Sequence, residues 1–211
     1  AMMSLVSGCC EWYFHKQELH FLMLGLDGSG KTSLLERIKH DVGNDDPSTR
    51  RTSTPATAIP QLNKISPTVG LNIGRFEVRG VNTIIWDLGG QSGLRSIWDK
   101  YYPDTHGLIW VVDCSDASRF EEAKETLESV LHQSELDGVP LLVLANKADR
   151  PGAIGSEEVK RRCVAHEGGL VRRQVKVVSV SAWDGRGVAE ALLGFIDLLK
   201  RGPGHSTDPS P

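Results

Sequence analysis

"GLDGSGKTS", Gly25 to Ser33, is the stretch whose residue types and spacing point most directly to chemistry. Two glycines bracket four residues and precede Lys31 and Thr32, the G-x-x-x-x-G-K-[ST] arrangement of a phosphate loop. Gly25 and Gly30 let the backbone turn without a clashing Cβ. The N–H groups from Asp27, Gly28, Ser29 and Gly30 through Lys31, Thr32 and Ser33 can then surround an anion, helped by a helix N-terminus. In this reading Lys31 reaches the outer phosphates and the Thr32 hydroxyl ligates Mg²⁺. A nucleoside triphosphate is the ligand class implied.

Such a loop must be positioned by a strand before it and a helix after it. "HFLMLGL" (His20–Leu26) reads as a buried strand, and "KTSLLERIKH" (Lys31–His40) carries Leu34, Leu35 and Ile38 at helical spacing. A glycine-rich turn that matches by chance is the competing explanation, and the strand–loop–helix order weighs against it. Further strand-like runs are Gly70–Val78, Val81–Leu88, His106–Asp113, Val139–Asn146 and Gln174–Ser181, with helices near Ala117–Gln133, Ser156–His166 and Val188–Lys200. The first two of these runs are linked through Arg79-Gly80 and read as a hairpin. The last three are nearly continuous apolar runs, as strands covered on both faces require. The expected fold is α/β: a doubly wound, six-stranded, mostly parallel sheet with one antiparallel edge strand.

In such a sheet a nucleotide lies at the C-terminal ends of the strands. The third strand ends in "WDLGGQ": Asp87 can hold Mg²⁺ through water, Gly90 offers an N–H to a terminal phosphate, and Gln91 stands where it can orient an attacking water. The fifth ends in "NKAD". Asp149 there can accept from both N1–H and the exocyclic amine of guanine. With adenine, which has no N1 donor, the acceptor would go unpaired, at a cost of roughly 1–3 kcal/mol. Asn146 can reach the base or tie loops together, and the Lys147 stem can cover the ring face. The sixth strand ends at Ser181 and Ala182, where the Ala182 N–H would meet the guanine O6.

Composition bounds the rest. The 211 residues suit one domain; they are 39% hydrophobic and 24% charged, with a net charge of −3, so no nucleic-acid partner is expected. No apolar run approaches the roughly 20 residues that span a bilayer. No secretory pattern is visible, and Cys9, Cys10, Cys114 and Cys163 read as free thiols of a reducing compartment. The stretch from Asp41 to Pro67 is rich in Asp, Ser, Thr and Pro; its middle, about 44–58, and a tail over 201–211 are expected to be mobile or disordered. The domain reading is an N-terminal segment over 1–16, a guanine-nucleotide-binding domain over 17–200, and the tail; the resemblance described next implies that the first is an amphipathic helix and the second a GTPase domain.

In this order, "GLDGSGKTS", "SPTVGLNIG", "WDLGGQ", "NKAD" and "SAWDGRGV" resemble the small GTPases of the ADP-ribosylation factor (Arf) family over about residues 5–200. "GLNIG" and "WDKYY" resemble its Arf-related protein branch, which implies a cytoplasmic, monomeric protein peripheral on trans-Golgi membranes, acting in Golgi and endosomal traffic. The resemblance implies GTP/GDP and Mg²⁺ as cofactors, with Thr68 joining Thr32 on Mg²⁺ only when the γ-phosphate is present. It implies slow hydrolysis, a guanine-nucleotide exchange factor, a GTPase-activating protein, and an effector such as a tether or coat. It also implies that the hairpin slides on GTP binding and expels the N-terminal helix toward a membrane surface or membrane-protein receptor. Leu5, Trp12, Tyr13 and Phe14 would supply the apolar side of that helix. Trp86 and Tyr101 match an aromatic effector-reading triad, whose third place holds Leu71 instead of Phe. No Gly follows Met2 or Met3, so myristoylation is not expected. Two other functions compete: a GTP-binding scaffold that hardly hydrolyses, against which Gln91 argues, and a nucleoside kinase, against which the guanine site and the lack of an acceptor lid argue.

Overall fold

The computed structural model describes residues 18–42, 65–164 and 173–201. The expected helix over 1–16, the insertion at 44–58 and the tail beyond Arg201 lie outside the described residues. β1 (Glu18–Leu24) leads into the phosphate loop and α1 (Lys31–Asp41). The hairpin β2 (Leu71–Val78) and β3 (Val81–Leu88) follows, then a 3₁₀ helix over Ser92–Tyr101. β4 (Gly107–Asp113), α2 (Phe120–Leu131) and β5 (Leu141–Asn146) come next. Last are α3 (Ser156–Val159, continued by a π turn over Lys160–Val164), β6 (Val175–Ser179) and α4 (Val188–Arg201).

The sheet order is β2-β3-β1-β4-β5-β6. All pairings are parallel except β2 with β3, so the hairpin places its antiparallel strand at the edge, as the short link at Arg79-Gly80 implies. α4 runs through Arg201, one residue into the expected tail. The 3₁₀ helix over Ser92–Tyr101 was not anticipated; "SGLRSIWDKY" has Trp98 as its buried residue, with Ile97 and Tyr101 packed on the same core layer.

Alternation along β1 explains the continuous apolar runs. Phe21 and Met23 face a core layer with Leu34, Leu35 and Ile38 of α1 and Phe195 and Ile196 of α4. Leu22 and Leu24 face the other layer, with Trp110 and with Phe120, Leu127 and Val130 of α2. Each such buried side chain contributes about 1.5–3 kcal/mol relative to exposure. The covered sheet is thus a rigid base, and the loops that follow β1, β3, β4, β5 and β6 all emerge at one end of it.

Candidate functional site

The phosphate loop is held from below. Lys31 Nζ donates to the carbonyls of Gly25 (3.0 Å) and Leu26 (2.8 Å), and Ser29 Oγ donates back to Leu26 O. Gly30 sits at φ +93°, and a Cβ there would stand 2.4 Å from the Asn146 amide, so both its conformation and its neighbour favour glycine. Burial pushes the Lys31 ammonium down to about 8, against the pull of Asp87 and Asp27. A cation so desolvated is stabilised by an incoming polyanion. Asp27, a carboxylate in an anion loop, is held below its ordinary range chiefly by Arg119.

A second group stands over the N-terminus of α1. Thr32 Oγ1 lies 2.6 Å from Thr68 Oγ1 and donates at 2.6 Å to Asp87 Oδ2. Asp87 is fully buried, and its Oδ1 has no hydrogen-bond partner among the described residues. Burial pushes its carboxyl up, with Thr32 and then Lys31 acting the other way. Two hydroxyls and a buried carboxylate with an unpartnered oxygen fit a hard divalent cation such as Mg²⁺, which takes oxygen ligands.

Of the residues expected to bind phosphate, Asp27, Gly28, Gly30, Lys31, Thr32 and Ser33 line one cavity of about 410 Å³ together with Thr68, Gly90, Gln91 and Lys147, whereas Ser29 lines a neighbouring cavity with Asp113 and Arg119. Gly90 rests directly on the loop: a Cβ there would lie 2.4 Å from Gly25 O and 2.5 Å from Asp27 N. Gln91 is exposed and in extended backbone immediately before the 3₁₀ helix.

The base-side residues are tied to the phosphate loop through Asn146. Its Nδ2 donates to Ser29 O at 2.9 Å, and its Oδ1 accepts from Ala182 N at 3.1 Å. The Ala182 N–H, assigned from sequence to the guanine O6, is therefore engaged by Asn146 in this structure, and a base contact would share it. Ser181 Oγ donates to Asp149 Oδ1 at 2.8 Å and so aims one carboxylate oxygen. Lys147, at φ +65°, donates to Gly28 O and pairs with Asp113 at 2.6 Å, which fixes its stem across the cavity edge.

Trp86 and Tyr101 touch, with ring centroids 5.4 Å apart, and the His20 ring lies 4.8 Å from Trp86. Leu71 is 36% exposed on β2. Leu5, Trp12, Tyr13 and Phe14 lie outside the described residues.

Sequence reasoning missed four charged side chains. Arg37 of α1 is 3% exposed and donates to the carbonyls of Ala182 and Trp183, tying the base loop to the phosphate-loop helix. Arg119 grips Asp27, and Arg95 and Glu122 stand behind them. A signal existed: an acidic residue inside an anion-binding loop needs a fixed cation nearby. Arg119 opens the helix after β4, at the same end of the sheet.

A phosphate loop at the C-terminal end of a doubly wound sheet, with a guanine-type "NKAD" strand end and a Thr–Thr–Asp cluster over the helix N-terminus, defines a small GTPase. The sequence profile of the ADP-ribosylation factor family matches residues 6–198, and the chain belongs to that family. It is 39% identical over 200 residues to ADP-ribosylation factor-related protein 1 of Rattus norvegicus, covering 95% of this chain and 94% of that one. It is 36% identical over 201 residues to ADP-ribosylation factor-like protein 3 of Saccharomyces cerevisiae, covering 95% of each. Among solved structures, the Arl6 BBS3 small GTPase from Trypanosoma brucei with bound nucleotide analogue GppNp superposes with a TM-score of 0.71 at 26% identity, over 89% of this chain and 100% of that one. The chain is accordingly a small GTPase of a family whose members act generally as GTP-binding switches in membrane traffic.

Proposed function

We propose that the chain is a GTP-hydrolysing switch of Golgi and endosomal membrane traffic that is recruited to membranes when GTP is bound. The observation that carries the switch is the meeting of Thr68 with Thr32 at 2.6 Å, where Thr32 in turn donates to Asp87 at 2.6 Å. Thr68 lies in the segment before the exposed edge strand, so an interaction there that depends on the terminal phosphate and Mg²⁺ can order or release that segment. In this reading Thr32 and Thr68 hold Mg²⁺, with Asp87 acting through water. Lys31 and the loop amides hold the phosphates. Asp149, Ser181, Ala182 and Asn146 select guanine, and Gln91 orients the attacking water. Lys147 covers the base.

The similarity to ADP-ribosylation factor-related protein 1 supports the Golgi branch. The partners proposed are an exchange factor, an activating protein, an effector reading Leu71, Trp86 and Tyr101, and a membrane surface or receptor met by Leu5, Trp12, Tyr13 and Phe14. The test has two arms. Purified full-length chain loaded with GTP and Mg²⁺ should release inorganic phosphate slowly in single turnover. Tagged chain should reside on Golgi membranes, and Thr32→Asn should disperse it. Phosphate release no faster than free GTP would remove the hydrolytic role; unchanged distribution of Thr32→Asn would remove nucleotide-dependent recruitment.

A further inference from the structure

Behind the cavity runs a chain of charge that the chemistry above does not use. Arg119 Nη1 donates to Asp27 O at 2.7 Å, and Nη2 donates to Asp27 Oδ1 at 2.8 Å. The same guanidinium donates to Glu122 Oε2 from Nε and Nη2, at 3.1 and 2.9 Å. The other oxygen of Glu122 accepts from Arg95 Nη2 at 2.8 Å. Arg95 Nε then donates to Gly90 O at 3.0 Å, and its Nη1 donates to Thr126 Oγ1 at 3.2 Å. One carboxylate on α2 thus connects the main chain of the phosphate loop to the main chain beside Gln91.

Both terminal contacts fall on carbonyls, and this is what separates the network from ordinary surface ion pairs. In a trans peptide the C=O and the following N–H point in opposite directions within one plane. Holding Asp27 O fixes the plane that carries the Gly28 N–H and turns that donor away from α2. Holding Gly90 O fixes the plane that carries the Gln91 N–H and sets how Gln91 leaves the main chain. Gly90 has no room for a side chain, since a Cβ there would lie 2.4 Å from Gly25 O and 2.5 Å from Asp27 N. A fork of guanidinium donors suits this task, because one Arg can hold a carbonyl and a carboxylate together, whereas an ammonium is a point charge.

We propose that Arg119 and Arg95, joined through Glu122, are positioning residues for GTP hydrolysis, setting the Asp27–Gly28 and Gly90–Gln91 peptide planes from behind the cavity. This rests on Gln91 orienting the attacking water. The ends are coupled because they share one carboxylate; loosening either end loosens the other. Arg119 also neutralises Asp27, whose charge would otherwise oppose an incoming phosphate.

The test uses full-length protein preloaded with GTP, with single-turnover hydrolysis and GDP dissociation measured side by side. Glu122→Gln keeps the shape and removes the charge; bound GTP should be hydrolysed about fivefold more slowly or worse, a coupling of ordinary size. The thermal midpoint should stay near wild type, which a merely structural loss would not allow, while GDP dissociation should quicken, because the Asp27–Gly28 plane faces the phosphates of GDP as well. Arg95→Lys keeps the charge and loses the fork, and it should be slowed likewise. Arg95→Ala combined with Arg119→Ala should cost less than the product of the two single losses. Hydrolysis at the wild-type rate in Glu122→Gln, or strictly multiplicative losses in the double variant, would overturn the proposal. Gln91→Leu is measured in the same series: if it hydrolyses normally, the role on which the proposal rests has failed as well; if it alone is slow, only the network is wrong.

Discussion

Ser29, Lys31, Asn146 and Ser181 keep 3%, 6%, 1% and 0% of their surface, while Val69 keeps 82% and Leu71 36%. In the proposed reading the first group is the cradle for phosphates and base, and the second belongs to the switch face along the edge strand. In the cradle every named polar atom has a protein partner: Lys31 on two carbonyls, Asn146 bridging Ser29 and Ala182, Ser181 on Asp149. On the switch face the contact that closes over the cavity is Thr68 on Thr32, and Gln91 is exposed. A cradle fixed by buried hydrogen bonds is built before the ligand arrives. A segment with few buried contacts is free to answer to the ligand, since ligand-responsive elements come from the low-stability end of a fold.

Breaking the cradle should have the largest effect. Asn146→Ala leaves Ser29 O and Ala182 N without their partner in a buried place, at about 1–3 kcal/mol each. Urea unfolding should show a loss of about 2–6 kcal/mol, and a loss under 1 kcal/mol would mean that water or repacking replaces Asn146. On the switch face, Gln91→Leu should leave unfolding unchanged and slow single-turnover hydrolysis about 10²-fold, the scale of lost orientation. Asp149→Asn should weaken GTP by roughly 1.5–3 kcal/mol, about one to two decades, and improve xanthosine triphosphate, whose C2 carbonyl meets the new amide. Competition binding that ranks the two nucleotides as in wild type would take Asp149 out of the base site.

A smaller effect sharpens the comparison through pH. Burial holds Lys31 at about 8, and phosphates beside it raise that value. Binding then takes up a proton in the window above pH 8, so GTP affinity should be level below pH 8 and fall above it, by at most about tenfold per pH unit. Titration from pH 6.5 to 9.5 with flat affinity would show that Lys31 is fully charged without nucleotide. The smallest effect belongs to Leu71→Ala, at under about 0.5 kcal/mol of stability, because an exposed edge-strand side chain packs little. A larger loss in urea unfolding would show that the switch face is part of the core.

These two regions also differ in how far they can be read from sequence. The cradle is written in contiguous segments: strand, loop and helix follow one another, and "NKAD" and "SAWDG" each end a strand that apolar continuity reveals. Glycine at 30 and 90 is legible as well, because close backbone approach at a phosphate loop demands it. The ties between segments are not local and leave no pattern. Arg37, Arg95, Arg119 and Glu122 are ordinary helix-surface types, and only the sheet order that brings β1, β3 and β4 together makes them neighbours. The 3₁₀ helix over Ser92–Tyr101 was missed although Leu94, Ile97, Trp98 and Tyr101 stand at helical spacing; Trp98 anchors it through a hydrogen bond to Gly89 O at 3.1 Å, and Ile97 and Tyr101 pack on the same core layer. That Asn146 Oδ1 accepts from the Ala182 N–H was not legible either, because the two lie 36 residues apart and meet only through the pairing of β5 with β6.

The contrast between a fixed cradle and a ligand-ordered switch face is tested most directly by hydrogen exchange of the full-length chain, with GDP and then with GppNp, both with Mg²⁺. The account predicts that amides at 65–71 and 89–95 become at least about tenfold more protected with the triphosphate analogue, the span of a coupling near 1.4 kcal/mol. Amides at 25–33 and 146–149 should be protected equally in the two states. Equal protection of 65–71 and 89–95 with either nucleotide would contradict it, as would a triphosphate-dependent rise of the same size in the cradle.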